Sequence, residues 1–221
     1  MARIAEDLLL LLLDNAAAQP RLDRARRERT LAAAVLLDLA HACRIRPATD
    51  TDPPAAAGRL LVLSGPDPAD PVLAPALQLL LRRPLTPAAA ITKLRRTTPA
   101  AVLSHLEDGG QIRRVRLPGN RFRRGYAWPL VDRTRATQAR AAVTAALFDH
   151  SRPDPTTATV VSLLYLVDGL GAVLSLNDRG WKWVRSRAGD IAGGSWAGDC
   201  EPGLAEFNLV VTTAAIRPAL R

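Results

Sequence analysis

The chain has 221 residues, of which 48% are hydrophobic, and this length suits one domain with a substantial buried core. Its formal net charge is +9, because 30 arginine and lysine side chains stand against 21 aspartates and glutamates. The chain has only two cysteines, Cys43 and Cys200, which argues against a disulfide framework or a cysteine metal site and is typical of a reducing compartment.

Hydrophobic periodicity predicts helices through most of the first half of the chain. The leucines between Leu8 and Leu13 are too many for one narrow stripe, so the first helix, residues 4–14, is predicted to be well buried. Glu6 and Asp7 precede these leucines where a signal peptide would be basic, and they favour the positive end of the helix dipole instead. The further predicted elements are a long helix over 22–45, a short strand at 60–63, and helices over 71–82, 86–96 and 99–107.

A β-hairpin is predicted over residues 111–128, as two alternating runs around the turn Leu117-Pro118-Gly119-Asn120. It carries six arginines within twelve residues and no acid among them: Arg113, Arg114, Arg116, Arg121, Arg123 and Arg124. Such a concentration of like charge is typical of contact with a polyanion, either nucleic acid or an anionic membrane. Phe122 and Trp128 are predicted to reach the membrane interface. The simpler alternative is a solvated ribbon whose arginine stems cover apolar neighbours.

The last third of the chain is predicted to be helical, over 132–149, 155–176, 179–192 and 201–217. Residues 158–176 are long enough to span a bilayer. However, this stretch contains Asp168, two glycines and several hydroxyl side chains, which favour a buried core helix in a soluble or peripheral protein. The predicted class is therefore mainly α: one domain over residues 1–221, with a helical bundle core, surrounding amphipathic helices and one basic β-hairpin.

Motifs for catalysis are missing from the sequence, which has no GxGxxG, P-loop, HExxH or nucleophile elbow. The three histidines, His41, His105 and His150, fall on separate helices or helix ends and lack neighbouring residues at metal-ligand spacing. The sequence therefore predicts a protein that is not an enzyme and has no cofactor and no metal site.

Five segments follow one another in an order that suggests a family. They are Ile4–Asp14, Leu31–Ile45, Leu106–Ile112 before the hairpin, Pro153–Thr157 with the apolar helix after it, and Ser195–Gly198 before the last helix. Together they resemble the Golgi phosphoprotein 3 family, in particular its bacterial, actinobacterial-type members, over nearly the whole chain. Each segment alone is a weak signal, and their order and spacing supply the specificity.

The resemblance implies a mostly helical protein that binds phosphatidylinositol 4-phosphate at a membrane face and recruits protein cargo such as glycosyltransferases. It also implies a hairpin that touches the membrane or a second copy, and a headgroup site built from a tryptophan and three arginines. Those four positions fall at about Asp23, Ala32, Arg96 and Pro99, so only Arg96 keeps the family's residue type. Neighbouring cations that could substitute are Arg27, Arg29 and Arg95.

The sequence thus predicts a non-catalytic adaptor that binds phosphatidylinositol 4-phosphate-like or other anionic headgroups at the cytoplasmic face of a membrane. One alternative is a winged helix, in which the helices over 86–96 and 99–107 precede the hairpin as a wing. Nucleic acid is the less favoured partner, because helix 99–107 offers Ser104 and His105 but no Arg, Asn or Gln for base edges. Another alternative is a scaffold whose hairpin docks onto an acidic partner or onto a second copy of the chain.

Overall fold

The structure is a computed structural model that describes residues 3–118, 125–149, 151–197 and 203–220. Within these residues 60% of the chain is helical, with nine α-helices and two small antiparallel hairpins, which confirms the mainly α class. The helices are α1 (Arg3–Leu13), α2 (Arg24–His41), α3 (Ala74–Arg82), α4 (Pro87–Leu94), α5 (Thr98–Asp108), α6 (Thr134–Phe148), α7 (Pro155–Leu166), α8 (Asp178–Ala192) and α9 (Leu204–Ile216). The strands are β1 (Ile45–Pro47), β2 (Leu60–Val62), β3 (Val115–Arg116) and β4 (Tyr126–Ala127).

Helix α1 lies at the centre of the bundle. Its six consecutive leucines, Leu8 to Leu13, are at most 1% exposed, because α1 packs against α2, α5, α6 and α7. A helix that is apolar on every side is stable only where every side is covered. The predicted burial of the first helix is therefore confirmed.

Helices α2 and α7 complete the core, and both begin at an aspartate cap. Asp23 accepts a hydrogen bond from the backbone N–H of Arg26 at 3.0 Å, and Asp154 accepts from those of Thr156 and Thr157. Each cap satisfies N–H groups that have no partner inside the helix. The second half of α2 is buried from Thr30 to Ala40.

Helix α2 is shorter than the pattern predicted. It ends at His41, because Cys43 adopts a left-handed backbone with φ of 51° and the chain then enters β1. Strand β1 pairs antiparallel with β2, with Ile45 opposite Val62. The sequence pattern ran on to residue 45 because Ile45 is itself fully buried, at 0% exposure.

Helix α7 likewise ends early, at Leu166 rather than residue 176. Asp168 has φ of 51° and is followed by a short 3-10 turn, Leu170–Ala172. These apolar residues remain buried after the helix has ended, with Leu170 at 4% exposure. The apolar sequence therefore continues past the end of α7, because the residues that follow the helix are buried as well.

The N-terminal end of α1 is capped by a side chain from α2. The carboxylate of Asp38 accepts hydrogen bonds from the backbone N–H groups of Ile4, at 2.9 Å, and Ala5, at 3.1 Å. Asp38 is buried, and this burial raises the pKa of its carboxyl well above the ordinary value although the two N–H donors act in the opposite direction. Asp38 thus joins α1 to α2, and because burial disfavours its charged form, its contribution to stability depends on whether the carboxyl is protonated.

We expect Asp38 to make stability fall as the pH rises. Because the folded-state pKa is the higher one, its contribution is complete below the unfolded-state pKa of about 3.9 and is lost as the pH rises through the folded-state pKa. Over this range Asp38 lowers the free energy of unfolding by at most about 1.4 kcal/mol for each unit of pH. Urea unfolding of the wild type and of Asp38→Asn should give free energies whose difference shifts in favour of the variant with rising pH. A difference that is constant with pH would contradict this expectation.

Candidate functional site

The arginine-rich segment forms the predicted hairpin at its base. Val115 lies opposite Ala127 in antiparallel register, and the backbone N–H of Leu117 donates to the carbonyl of Gly125 at 3.0 Å. The predicted turn at 117–120 is wrong in its position, because it would place Arg116 opposite Arg121, whereas Arg116 lies opposite Tyr126. The predicted membrane-contact residues at the tip, Arg121, Phe122, Arg123 and Arg124, lie outside the described residues.

Three hairpin arginines, Arg113, Arg114 and Arg116, are exposed on the strand that leads to the tip. In the described part of the chain, none of them forms an ion pair with a carboxylate. The guanidinium of Arg114 lies over the ring of Tyr126, 3.8 Å from its centroid, in a cation–π contact that leaves the charge in place. The positive charge of these three arginines therefore faces solvent and is not neutralised by any carboxylate in the described part of the chain.

The second strand of the hairpin is anchored to the domain. The backbone N–H of Trp128 donates to the carbonyl of Ala18 at 2.7 Å, and the side-chain amide of Gln19 donates to the carbonyl of Tyr126 at 3.3 Å. The Trp128 ring is partly buried against the core, with its centroid 6.3 Å from that of Tyr126. Trp128 thus supports the root of the hairpin, and its contact with a membrane stays a prediction.

The predicted headgroup arginines lie on two packed elements. Arg27 and Arg29 are in the first half of α2, Arg95 and Arg96 follow the end of α4, and α2 packs against α4. Glu28 lies within this cationic group. A hydrogen bond from Arg24, at 2.7 Å, and the charges of Arg24, Arg95 and Arg27 lower the pKa of Glu28. The structure therefore brings Arg27 and Arg95 close to the same carboxylate.

The four guanidinium groups differ in their surroundings. Arg96 is exposed, whereas Arg27, Arg29 and Arg95 are half-buried. The Nε atoms of Arg29 and Arg95 are buried and have no hydrogen-bond acceptor among the described residues, and burial lowers the pKa of Arg27. A buried donor without an acceptor costs free energy, so oxygen atoms of an anionic ligand would be favoured beside these two nitrogens.

The other headgroup positions implied by the resemblance have structural roles in this chain. Asp23 caps α2, Ala32 is fully buried at 0% exposure, and Pro99 lies in the first turn of α5. The Ala32 methyl group lies in the core and is not available to a headgroup. Of the implied positions only Arg96 presents a cation.

A separate cleft of about 1050 Å³ opens at the other end of α2, with walls from α1, α2, α5, α6 and α7. His41 lines it and lies twelve residues beyond Arg29 on the same helix, which at 1.5 Å per residue is about 18 Å away. Glu6, His105 and Arg135 also line this cleft. These four side chains come from separate helices, and the sequence did not predict that they lie in one cleft. One signal was available in the sequence: Glu6 and Asp7 lie on an otherwise apolar helix, and buried carboxylates require partners from elsewhere in the fold.

Arg135 of α6 is the counter-ion of both acids on α1. It donates to Asp7 Oδ1 at 2.6 Å and to Glu6 Oε2. The sequence interpretation assigned Glu6 and Asp7 to the helix dipole, but here they pair with a cation from a distant helix while Asp38 caps the first turn. Burial raises the pKa of Asp7 although the Arg135 charge acts in the opposite direction.

The described fold and surface define a class: a helical-bundle protein with a largely buried first helix and a hairpin whose described arginines are exposed. Residues 4–200 match the sequence profile of Golgi phosphoprotein 3 (GPP34). The chain therefore belongs to the Golgi phosphoprotein 3 family, which confirms the resemblance, and this membership fits a non-catalytic lipid-binding or adaptor role. A search of curated proteins found no matching relative. In the described ranges no helix combines the length and the apolar character needed to cross a bilayer.

Proposed function

We propose that the protein is a peripheral membrane protein that binds anionic lipid headgroups through its arginine-rich hairpin and acts without catalysis as an adaptor at the cytoplasmic face. The observation that carries this proposal is the exposure of Arg113, Arg114 and Arg116 without carboxylate partners among the described residues. Each arginine near an anionic leaflet contributes about 1 kcal/mol. The six arginines of the hairpin therefore favour a reversible attachment that weakens with salt.

A second contact is with an individual headgroup at Arg27, Arg29, Arg95 and Arg96. Guanidinium groups suit phosphate because their fixed N–H donors can engage two oxygens at once. The buried Nε atoms of Arg29 and Arg95 support this proposal, because a phosphate would supply the acceptors that they lack. Phosphatidylinositol 4-phosphate is the ligand implied by family resemblance. Since three of the four implied positions differ, other anionic headgroups are proposed as ligands too.

The winged-helix alternative is less favoured by the position of α5. Its residues Thr98, Val102 and Leu106 are buried, and the helix packs against α1 and α2. Glu107 and Asp108 are exposed near its end and would repel phosphate. A helix in this position offers little to a DNA groove.

Vesicle titration of the full chain tests the proposal. It distinguishes general binding to anionic lipid from recognition of an individual headgroup. Phosphatidylcholine vesicles are compared with vesicles that carry phosphatidylglycerol, cardiolipin or phosphatidylinositol 4-phosphate at matched surface charge. We expect binding to all anionic vesicles and a preference for the phosphomonoester that falls by about tenfold in Arg95→Gln/Arg96→Gln, the loss typical of a charged hydrogen bond.

The matched control for this variant is Arg82→Gln/Arg83→Gln, which removes two exposed charges at the end of α3 and should keep the preference. Equal binding to neutral and anionic vesicles would reject lipid binding altogether. An unchanged preference in Arg95→Gln/Arg96→Gln would reject the headgroup site alone.

A further inference from the structure

Three potential metal ligands from distant parts of the chain meet beside the cleft. Glu6 of α1, Asp70 before α3 and His105 of α5 place a carboxylate oxygen or imidazole nitrogen within 4.8 Å of one another. The cleft wall is built largely from the segments that carry the family resemblance, since Ile4–Asp14, Leu106–Ile112 and Pro153–Thr157 all contribute to it. None of the three residues belongs to the arginine-rich hairpin or to the group of Arg27, Arg29, Arg95 and Arg96.

The distances within the cluster suit a metal centre. Glu6 Oε1 and His105 Nε2 are 3.4 Å apart, and a tetrahedral centre with bonds of about 2.0–2.1 Å holds adjacent ligand atoms about 3.3–3.4 Å apart. The Asp70 carboxylate is oriented by the backbone N–H of Val72, which donates to its Oδ1 at 2.9 Å. The ligand atoms of Asp70, Glu6 and His105 all lie within 4.8 Å of one another.

A hydrogen bond from Arg135 fixes the orientation of the Glu6 carboxylate, as supporting hydrogen bonds do for the ligands of metal sites. Its Oε2 accepts a hydrogen bond from Arg135, which also binds Asp7, so one guanidinium serves two carboxylates. Its Oε1 is buried and accepts no hydrogen bond from the described residues, because His105 Nε2, although 3.4 Å away, forms none to it, and the side chain is only 4% exposed. A buried carboxylate oxygen without a donor is costly, and a cation at this oxygen would remove that cost.

We propose that Glu6, Asp70 and His105 bind a divalent transition-metal ion, for which Zn²⁺ is the best match. Two carboxylates and one imidazole are ligand types that zinc accepts. The hydrogen bond from Arg135 to Glu6 then acts from outside the coordination shell, as ligand-orienting partners do in metal sites. Three protein ligands leave one position for water or for a group that enters from the cleft. The site neither requires lipid binding nor follows from it.

Calorimetric titration of zinc chloride into the full chain, after treatment with a chelator, tests the site. We expect one ion per chain in the wild type. The affinity should fall by at least about tenfold in His105→Ala, because loss of even an outer-shell partner costs 10- to 100-fold. The control is His41→Ala, which removes the cleft histidine outside the cluster and should bind Zn²⁺ like the wild type.

His105→Ala is the decisive variant, because His105 is 34% exposed whereas Glu6 is buried and paired with Arg135. Glu6→Gln is compared in parallel, with circular dichroism to establish that it folds. Zn²⁺ should also raise the melting temperature of the wild type and of His41→Ala but not that of His105→Ala. The absence of saturable binding in the wild type, or unchanged affinity in His105→Ala, would overturn the proposal.

Discussion

Replacing Arg113, Arg114 and Arg116 by glutamine should lower the affinity for anionic vesicles by about 100-fold or more. These three side chains are exposed, and at about 1 kcal/mol each the variant loses about 3 kcal/mol of attraction to the leaflet. The measurement is co-sedimentation with phosphatidylglycerol-containing vesicles at low salt. Arg114 also contacts the Tyr126 ring, so the double variant Arg113→Gln/Arg116→Gln is measured alongside and should lose about 30-fold.

The control for net charge is Arg83→Gln/Lys182→Gln/Arg185→Gln, which removes three exposed cations from other elements. The control is compared with the wild type at 0.15 M salt, where the Debye length is about 8 Å and charges farther than this from the leaflet are largely screened. We expect its affinity there to stay within a few-fold of the wild type. An equal loss in the control would mean that total charge, rather than the hairpin, drives attachment.

Replacing Arg135 by alanine should lower the free energy of unfolding by about 3 kcal/mol. The change leaves Glu6, at 3% exposure, and Asp7 without the cation that they share. Removing one partner of a buried ion pair costs about 3–5 kcal/mol. The lower end applies here because the Arg135 side chain is 27% exposed. Urea unfolding monitored by circular dichroism measures the effect.

Arg133 provides the matched control two positions earlier in the chain. Its side chain is 69% exposed and lies 3.5 Å from Asp14. Asp14 is 19% exposed and keeps a closer partner, Arg140 at 3.0 Å, when Arg133 is removed. Arg133→Ala should therefore change stability by no more than about 0.5 kcal/mol. If Arg135→Ala were no more destabilising than Arg133→Ala, the pairing of Glu6 and Asp7 with Arg135 would not stabilise the bundle.

The helical class could be predicted from the sequence because its strongest signals are local. The leucines of α1 and the proline-led helix starts at Pro87 and Pro155 are visible without any knowledge of packing. The ends of α2 and α7 could not be predicted in this way. They depend on left-handed backbone at Cys43 and Asp168, while the apolar pattern continues through residues that are buried outside the helix.

The two candidate sites differ in the same respect. The base of the hairpin was predictable because its arginines and its alternating apolar residues are neighbours in sequence. The cluster of Glu6, Asp70 and His105 was not, because each comes from a different element and only tertiary packing brings them together. Arg135 was missed for the same reason, since it lies far along the chain from the acids that it pairs with.

The most direct test of the central claim, that the hairpin attaches the protein to an anionic leaflet, is co-sedimentation of the full chain with two kinds of vesicle. One kind contains phosphatidylcholine alone, and the other adds phosphatidylglycerol. We expect strong binding to the anionic vesicles at 0.01 M salt, where the Debye length is about 30 Å, and weaker binding at 0.15 M, where it is about 8 Å. Equal binding to both kinds of vesicle at low salt would contradict the claim.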